Sequence, residues 1–180
     1  MAVSVKTKEQ LRKLVFAAVC LALCLVLPFL TGQIPELGQA LCPMHIPVLL
    51  AGFLCGPWWA MAVGFVAPFL RYLLFSMPPI LPDGLAMAFE LLTYGLVAGI
   101  LYRLLPKKTG SIYLSLIGAM LAGRIVWGIV SIAIYDVMGS PYIWAIFFAG
   151  AFANAIPGII VHITLIPVLV LALQKAKILG

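Results

Sequence analysis

The sequence predicts an all-α, polytopic membrane protein with six transmembrane helices and both termini on the cytoplasmic side. Three observations lead there. Of the 180 residues, 65% are hydrophobic and only 9% charged, against about 25% charged in a typical soluble domain. A water-soluble fold of this length could not hide that much apolar surface, whereas a bilayer offers an apolar outer solvent. The apolar residues also fall into runs near the roughly 20 residues needed to cross a hydrocarbon core of roughly 30 Å. Finally, the basic residues gather at alternate ends of those runs. Six spans use nearly the whole length, so residues 1–180 read as a single membrane domain with no room for a soluble catalytic one.

The first helix is expected over about 10–30. Basic residues precede it, as in a signal peptide, but the apolar run from Leu14 to Leu30 is long for a signal core and no A-x-A site follows, so it reads as a retained helix. A loop rich in Gly, Pro and polar residues, Thr31–Pro43, comes next. The second helix, about 44–55, is short and contains Pro47. Gly56-Pro57 turns the chain into a third helix, about 58–75, and Pro78-Pro79-Ile80-Leu81-Pro82 makes a stiff connection. The fourth helix spans about 83–105, and Pro106-Lys107-Lys108-Thr109-Gly110 is a basic turn. The fifth covers about 111–135, Asp136–Pro141 is a loop, and the sixth, about 142–173, is long enough to kink at Pro157 or Pro167.

Orientation follows from charge. Lys6, Lys8, Arg12 and Lys13 lie at the N-terminus, Arg103, Lys107 and Lys108 around the fourth turn, and Lys175 and Lys177 at the C-terminus. With six spans all nine fall on one side, while the opposite loops carry Glu36 and Asp136 and no Lys or Arg. Positive charge marks the cytoplasmic side. The net charge of +6 therefore reflects topology; no basic stripe suits nucleic acid. Cys20 and Cys24, one turn apart on the first helix, read as small buried hydrophobes, and Cys42 falls in an outer loop.

Arg71, Glu90, Arg124, Asn154 and His162 interrupt apolar helices. A charge at a helix centre costs roughly 2.5–3.5 kcal/mol on the insertion scale, so such residues usually face the bundle interior and mark a substrate or ion path. At 1.5 Å per residue, Arg71 falls roughly 6 Å, Glu90 roughly 10 Å, Asn154 about 16 Å and Arg124 about 20 Å from the outer ends of their helices. His45 joins from the start of the second helix. Tyr94 follows Glu90 by one turn and Trp127 follows Arg124 by one turn, so aromatic faces could stack on a small molecule. His162 reads as a structural histidine, deeper toward the cytoplasm. Two readings of the charges stand side by side. In one, Glu90 pairs an arginine, Arg71 before Arg124, simply to join helices; in the other, since one carboxylate cannot neutralise two guanidinium groups, the remaining cation suits an anionic or carbonyl-rich ligand. On the first helix, Ala18 and Ala22 form a small-xxx-small pair that lets another helix approach closely.

No phosphate-binding G-x-x-x-x-G-K-[ST] loop, H-E-x-x-H or G-x-S-x-G motif occurs, and no cluster has metal-ligand spacing. No cofactor is called for. A polar pocket without an energy source suggests a binding or transport subunit.

The segments Met44–Pro57 (MHIPVLLAGFLCGP), Pro68–Pro79 (PFLRYLLFSMPP) and Ala86–Leu91 (AMAFEL) resemble the substrate-binding S component of energy-coupling factor (ECF) vitamin transporters, closest to the pantothenate-type branch. The resemblance extends over nearly the whole chain. It implies a subunit of an ABC-type importer in the bacterial cell membrane that captures a B vitamin outside. Its partners would be a membrane coupling protein (EcfT-like) and two ATPase subunits (EcfA-like). It implies that Ala18 and Ala22 match the family's A-x-x-x-A contact with the coupling protein, and that Thr31–Pro43 and Ser76–Pro82 act as gates. Pantothenate offers a carboxylate, hydroxyls and an amide that an Arg with Asn, His and aromatic groups would suit. Pyridoxine, hydroxymethylpyrimidine, cobalamin and folate stand as alternatives. The expected substrate-binding residues are Arg71, Glu90, Tyr94, Arg124, Trp127, Asn154 and His45. A membrane enzyme acting on lipid and a structural assembly protein are the competing classes.

Overall fold

The structure, a computed structural model, describes residues 5–31, 34–139 and 156–179, with side chains for all of these except Pro35, Glu36 and Gln39. The elements are α1 (Val5–Val26), a 3-10 turn (Leu27–Thr31), α2 (Pro35–Leu41), α3 (His45–Leu54), α4 (Pro57–Phe75), a short helical segment (Ile80–Gly84), α5 (Leu85–Leu104), α6 (Thr109–Val137) and α7 (Ile156–Lys175). All-helical architecture is as expected, and there is no strand among the described residues.

The helix punctuation is chemical. Pro28 has no N–H to continue the ladder of α1, and the chain tightens there into the 3-10 turn, closed by the Thr31 hydroxyl donating to the Pro28 carbonyl at 2.7 Å. Pro35 and Pro57 open α2 and α4 at the position where the missing donor costs nothing. Gly56 makes the α3–α4 turn at φ +86, a conformation that favours glycine.

α5 is the central helix, packed against α3, α4 and α6. Small residues bring its neighbours close. A Cβ on Gly64 would stand 2.4 Å from the Leu91 carbonyl oxygen, and one on Gly95 would stand 2.5 Å from that of Ala60. Backbone contact replaces side-chain interdigitation here, as suits helices that lack a hydrophobic drive toward each other in lipid. The outer surface is correspondingly apolar, with Leu73, Leu104, Trp58, Ile129 and Val168 exposed.

Five described helical segments are long and apolar enough to cross a membrane: Val5–Thr31, Pro57–Phe75, Ile80–Leu104, Thr109–Val137 and Ile156–Lys175. The second expected span, about 44–55, is α3, and its ten residues reach only about 15 Å, half a hydrocarbon core. The expected Thr31–Pro43 loop contains the additional helix α2. The first part of the expected sixth helix, from Tyr142, lies outside the described residues.

One end of the bundle collects the basic groups. Glu9 pairs with Lys13 and lies within electrostatic reach of Arg103. The Arg103 guanidinium packs on Gly56, where a Cβ would come within 1.9 Å of it. Lys107 stands 3.6 Å from the centre of the Tyr102 ring, and Gln174 donates to the Tyr102 hydroxyl at 2.7 Å, which ties α7 to α5. The N-terminal part of α1, the α3–α4 and α5–α6 turns and the end of α7 thus share one end, in keeping with the charge pattern.

Replacing Gly95 with Val should cost about 1–3 kcal/mol by overpacking the α4–α5 seam. Gly110, with open space around its Cβ position, should accept Ala without loss. Thermal unfolding in detergent compares the two; equal melting points would mean that the close approach contributes nothing.

Candidate functional site

Four helices converge on one carboxylate. Glu90 of α5 is 2% exposed. Its Oε1 lies 3.1 Å from Nη1 of Arg124 on α6, and its Oε2 lies 3.4 Å from Nε2 of His45 at the start of α3. The His45 ring meets Tyr94 edge-on at 5.2 Å and stacks on His162 of α7 at 6.0 Å with 20° between planes. His162 Nε2 donates to the Cys42 carbonyl at 3.3 Å, and Arg124 Nη2 approaches Cys42 Sγ at 3.8 Å. Counted from the basic end of each helix, His45, Tyr94, Glu90, His162 and Arg124 stand about 14–23 Å up, in the middle of a bilayer.

Local structure explains the convergence. Glu90 and Tyr94 are one turn apart on the buried face of α5. Gly123 leaves the space Tyr94 fills: a Cβ there would stand 2.0 Å from two ring carbons. Because α3 spans only about half the core, its first residue and the preceding Cys42 lie deep in the bundle. Cys42 caps α2 in the left-handed region, φ 46 and ψ 53, at a cost of about 1–2 kcal/mol for a non-glycine residue.

The charges balance but the hydrogen bonds do not close. Among the described residues, Glu90 Oε1, both ring nitrogens of His45 and Nε of Arg124 are buried without an aligned hydrogen-bond partner. Polar groups held in apolar surroundings and short of partners are equipped to bind a polar molecule. The cluster offers an acceptor carboxylate, a guanidinium edge and flat rings side by side. It holds no trio of His, Cys, Asp or Glu placed for a metal among the described residues.

Of the expected site residues, His45, Glu90, Tyr94 and Arg124 come together. Trp127 sits one turn beyond Arg124 and is half-buried. Asn154 lies outside the described residues. Arg71 is elsewhere: it is buried on α4, donates to the Leu25 carbonyl at 2.7 Å, and lies over the Phe29 and Phe75 rings at 5.4 and 5.3 Å. That carbonyl sits where α1 gives way to the 3-10 turn, and Pro28, three residues on, has no N–H for it. Arg71 therefore seals the α1–α4 seam and does not pair with Glu90; Arg124 does.

Two residues were misplaced by sequence reasoning. Cys42 is buried in the cluster, not in an outer loop, and His162 stands with His45, not deeper. The usable signal was the distance from His45 to Gly56-Pro57. It is too short for a full span, so the chain before it must descend into the bundle.

On α1, Ala17, Cys20 and Cys24 face the bundle, whereas Ala18 and Ala22 are exposed beside Val15, Val19 and Val26.

The family described as "ECF transporter, substrate-specific component" matches residues 12–170, and the chain belongs to it. It is a multi-pass membrane subunit that confers substrate specificity on an ECF importer, a transport component of a class that does not itself act as an enzyme. Comparison with curated proteins and with solved structures finds no match.

Arg71→Lys keeps the charge but loses the flat group lying over the two rings. It should lower stability by about 1 kcal/mol in thermal unfolding. An unchanged melting point would mean that apolar packing alone holds the seam.

Proposed function

We propose that the Glu90–Arg124 cluster is the substrate site, and that the chain captures a water-soluble B vitamin outside a bacterial plasma membrane for release into the cytoplasm. The observation that carries this reading is the buried set of polar atoms without aligned partners, contributed by α3, α5 and α6. Pantothenate is the first candidate. Its carboxylate would take the Nε–Nη2 edge of Arg124, beside the Cys42 thiol, and a hydroxyl would donate a hydrogen bond to Glu90 Oε1. Tyr94, His45 and Trp127 would flank it.

The pairing of Arg124 with Glu90 favours a second reading. It removes the spare cation that argued for an anion, and suits a neutral ring with adjacent donor and acceptor atoms, such as pyridoxine or hydroxymethylpyrimidine. Isothermal titration with these vitamins and pantothenate should give one tight ligand, and Arg124→Ala should weaken it at least tenfold. Absence of binding across the panel by well-folded protein would end the vitamin reading.

The energy would come from partners: a membrane coupling protein and two ATPase subunits. The exposure of Ala18 and Ala22 supports α1 as the docking face, because small residues let a partner helix approach closely. Replacing either with Leu should block uptake in cells while leaving vitamin affinity within about twofold. Equal loss of affinity would move these residues from the interface to the site.

A further inference from the structure

Glu90 fixes where the proton of His45 sits. The His45 Nε2 lies 3.4 Å from Glu90 Oε2. A bare nitrogen there would set its lone pair against the carboxylate, so Nε2 carries the proton. Arg124 already balances the charge of Glu90 at 3.1 Å, and a second ring proton would leave the buried cluster with a net positive charge. The ring is therefore neutral, and a neutral imidazole with its N–H at Nε2 has a bare lone pair at Nδ1. Tyr94, edge-on, and His162, stacked, hold the ring in place. Among the described residues the cluster then leaves two acceptors, Glu90 Oε1 and His45 Nδ1, and one donor, Arg124 Nε, without aligned partners. A carboxylate brings acceptors only. It can fill Arg124 Nε, but it leaves both acceptors bare and sets a second negative charge near Glu90. Uncharged cargo with two O–H or N–H donors and one acceptor fills all three.

We infer that His45, kept in its Nε2–H form by Glu90, presents Nδ1 as a fixed acceptor and so selects uncharged, donor-bearing cargo over cargo that meets the cluster with a carboxylate. His45 is the specificity-determining residue, and Glu90 positions its proton. This rests on reading the cluster as the substrate site, and of the two cargo readings it takes the neutral one. The tautomer itself is measurable without any cargo. His45 and His162 are the two histidines of the chain, so each ring nitrogen signal belongs to one or the other, and His162→Gln tells them apart.

The test uses full-length protein in lipid nanodiscs near neutral pH. With nitrogen-15 histidine, NMR should show His45 with a protonated Nε2 and a bare Nδ1. A proton on Nδ1, in the other tautomer or in the imidazolium, would overturn the inference. Selection is read by isothermal titration with two matched pairs that differ only by a hydroxymethyl in place of a carboxylate: panthenol against pantothenate, and pyridoxine against 4-pyridoxic acid. In the pair that binds, the alcohol should bind about tenfold or more tighter than the acid. His45→Gln keeps an N–H for Glu90 but has no acceptor at the Nδ1 position, and should reduce that preference about fivefold, the size of one hydrogen bond. His45→Asn carries its amide oxygen at the Nδ1 position and should keep the preference within about twofold of the parent. A tighter acid, a preference unchanged by His45→Gln, or no binding by any of the four would overturn the selection. Alcohol binding that neither His45→Gln nor Arg124→Ala weakens would overturn it together with the substrate reading of the cluster, and would leave the tautomer as a feature of the fold.

Discussion

A carboxylate and a guanidinium, both taken out of water at mid-bundle, set the terms for everything around them. Burying either charge alone costs several kcal/mol, and removing one partner of a buried pair typically costs about 3–5 kcal/mol. Glu90 and Arg124 are on adjacent helices of the sequence but face each other from opposite chain directions, 3.1 Å apart. α5 must therefore run through the centre with its acidic face toward α6. The glycines that let α4 and α3 approach α5 leave that face clear, and Gly123 opens the space beside Arg124 for Tyr94.

Other features follow from serving the pair. His45 reaches Glu90 only because α3 starts halfway down the bundle, and that start requires the chain before it to descend. α2 is the descending segment, and its end at Cys42 meets Arg124 and His162 together. Arg71, the other buried arginine, is kept apart on the α1–α4 seam, where a carbonyl and two aromatic rings receive it. The division of labour is plain: one arginine belongs to the polar cluster and one closes a break in α1. The basic residues of the helix ends stay at the opposite extremity from both.

Much of this could be read from the sequence. Apolar run length placed the third, fourth and fifth expected helices close to α4, α5 and α6, because the hydrocarbon core imposes a length. Intramembrane polarity picked out Glu90, Arg124 and His45, because an unpaired charge in lipid is too costly to lie anywhere but inside. What failed was pairing. Counted by depth, Arg71 is the nearer partner for Glu90 and Arg124 the farther, yet Arg124 makes the pair, since depth says nothing about which face of a helix a residue occupies. Cys42 and His162 were misplaced for a related reason: a half-length helix and a descending connection break the assumption that every apolar segment crosses fully. The exposed setting of Ala18 and Ala22 agrees with their spacing, one turn apart on the same helix.

The central claim is that the Glu90–Arg124 pair holds the fold and receives the substrate. A double-mutant cycle with Glu90→Gln, Arg124→Gln and both together, measured on thermal stability and on vitamin affinity, separates these roles. The account predicts that each single change lowers stability strongly, that the double variant recovers much of it because no lone charge remains, and that all three lose affinity. A double variant that binds the vitamin as tightly as the parent would contradict it and leave the pair as a structural tie alone.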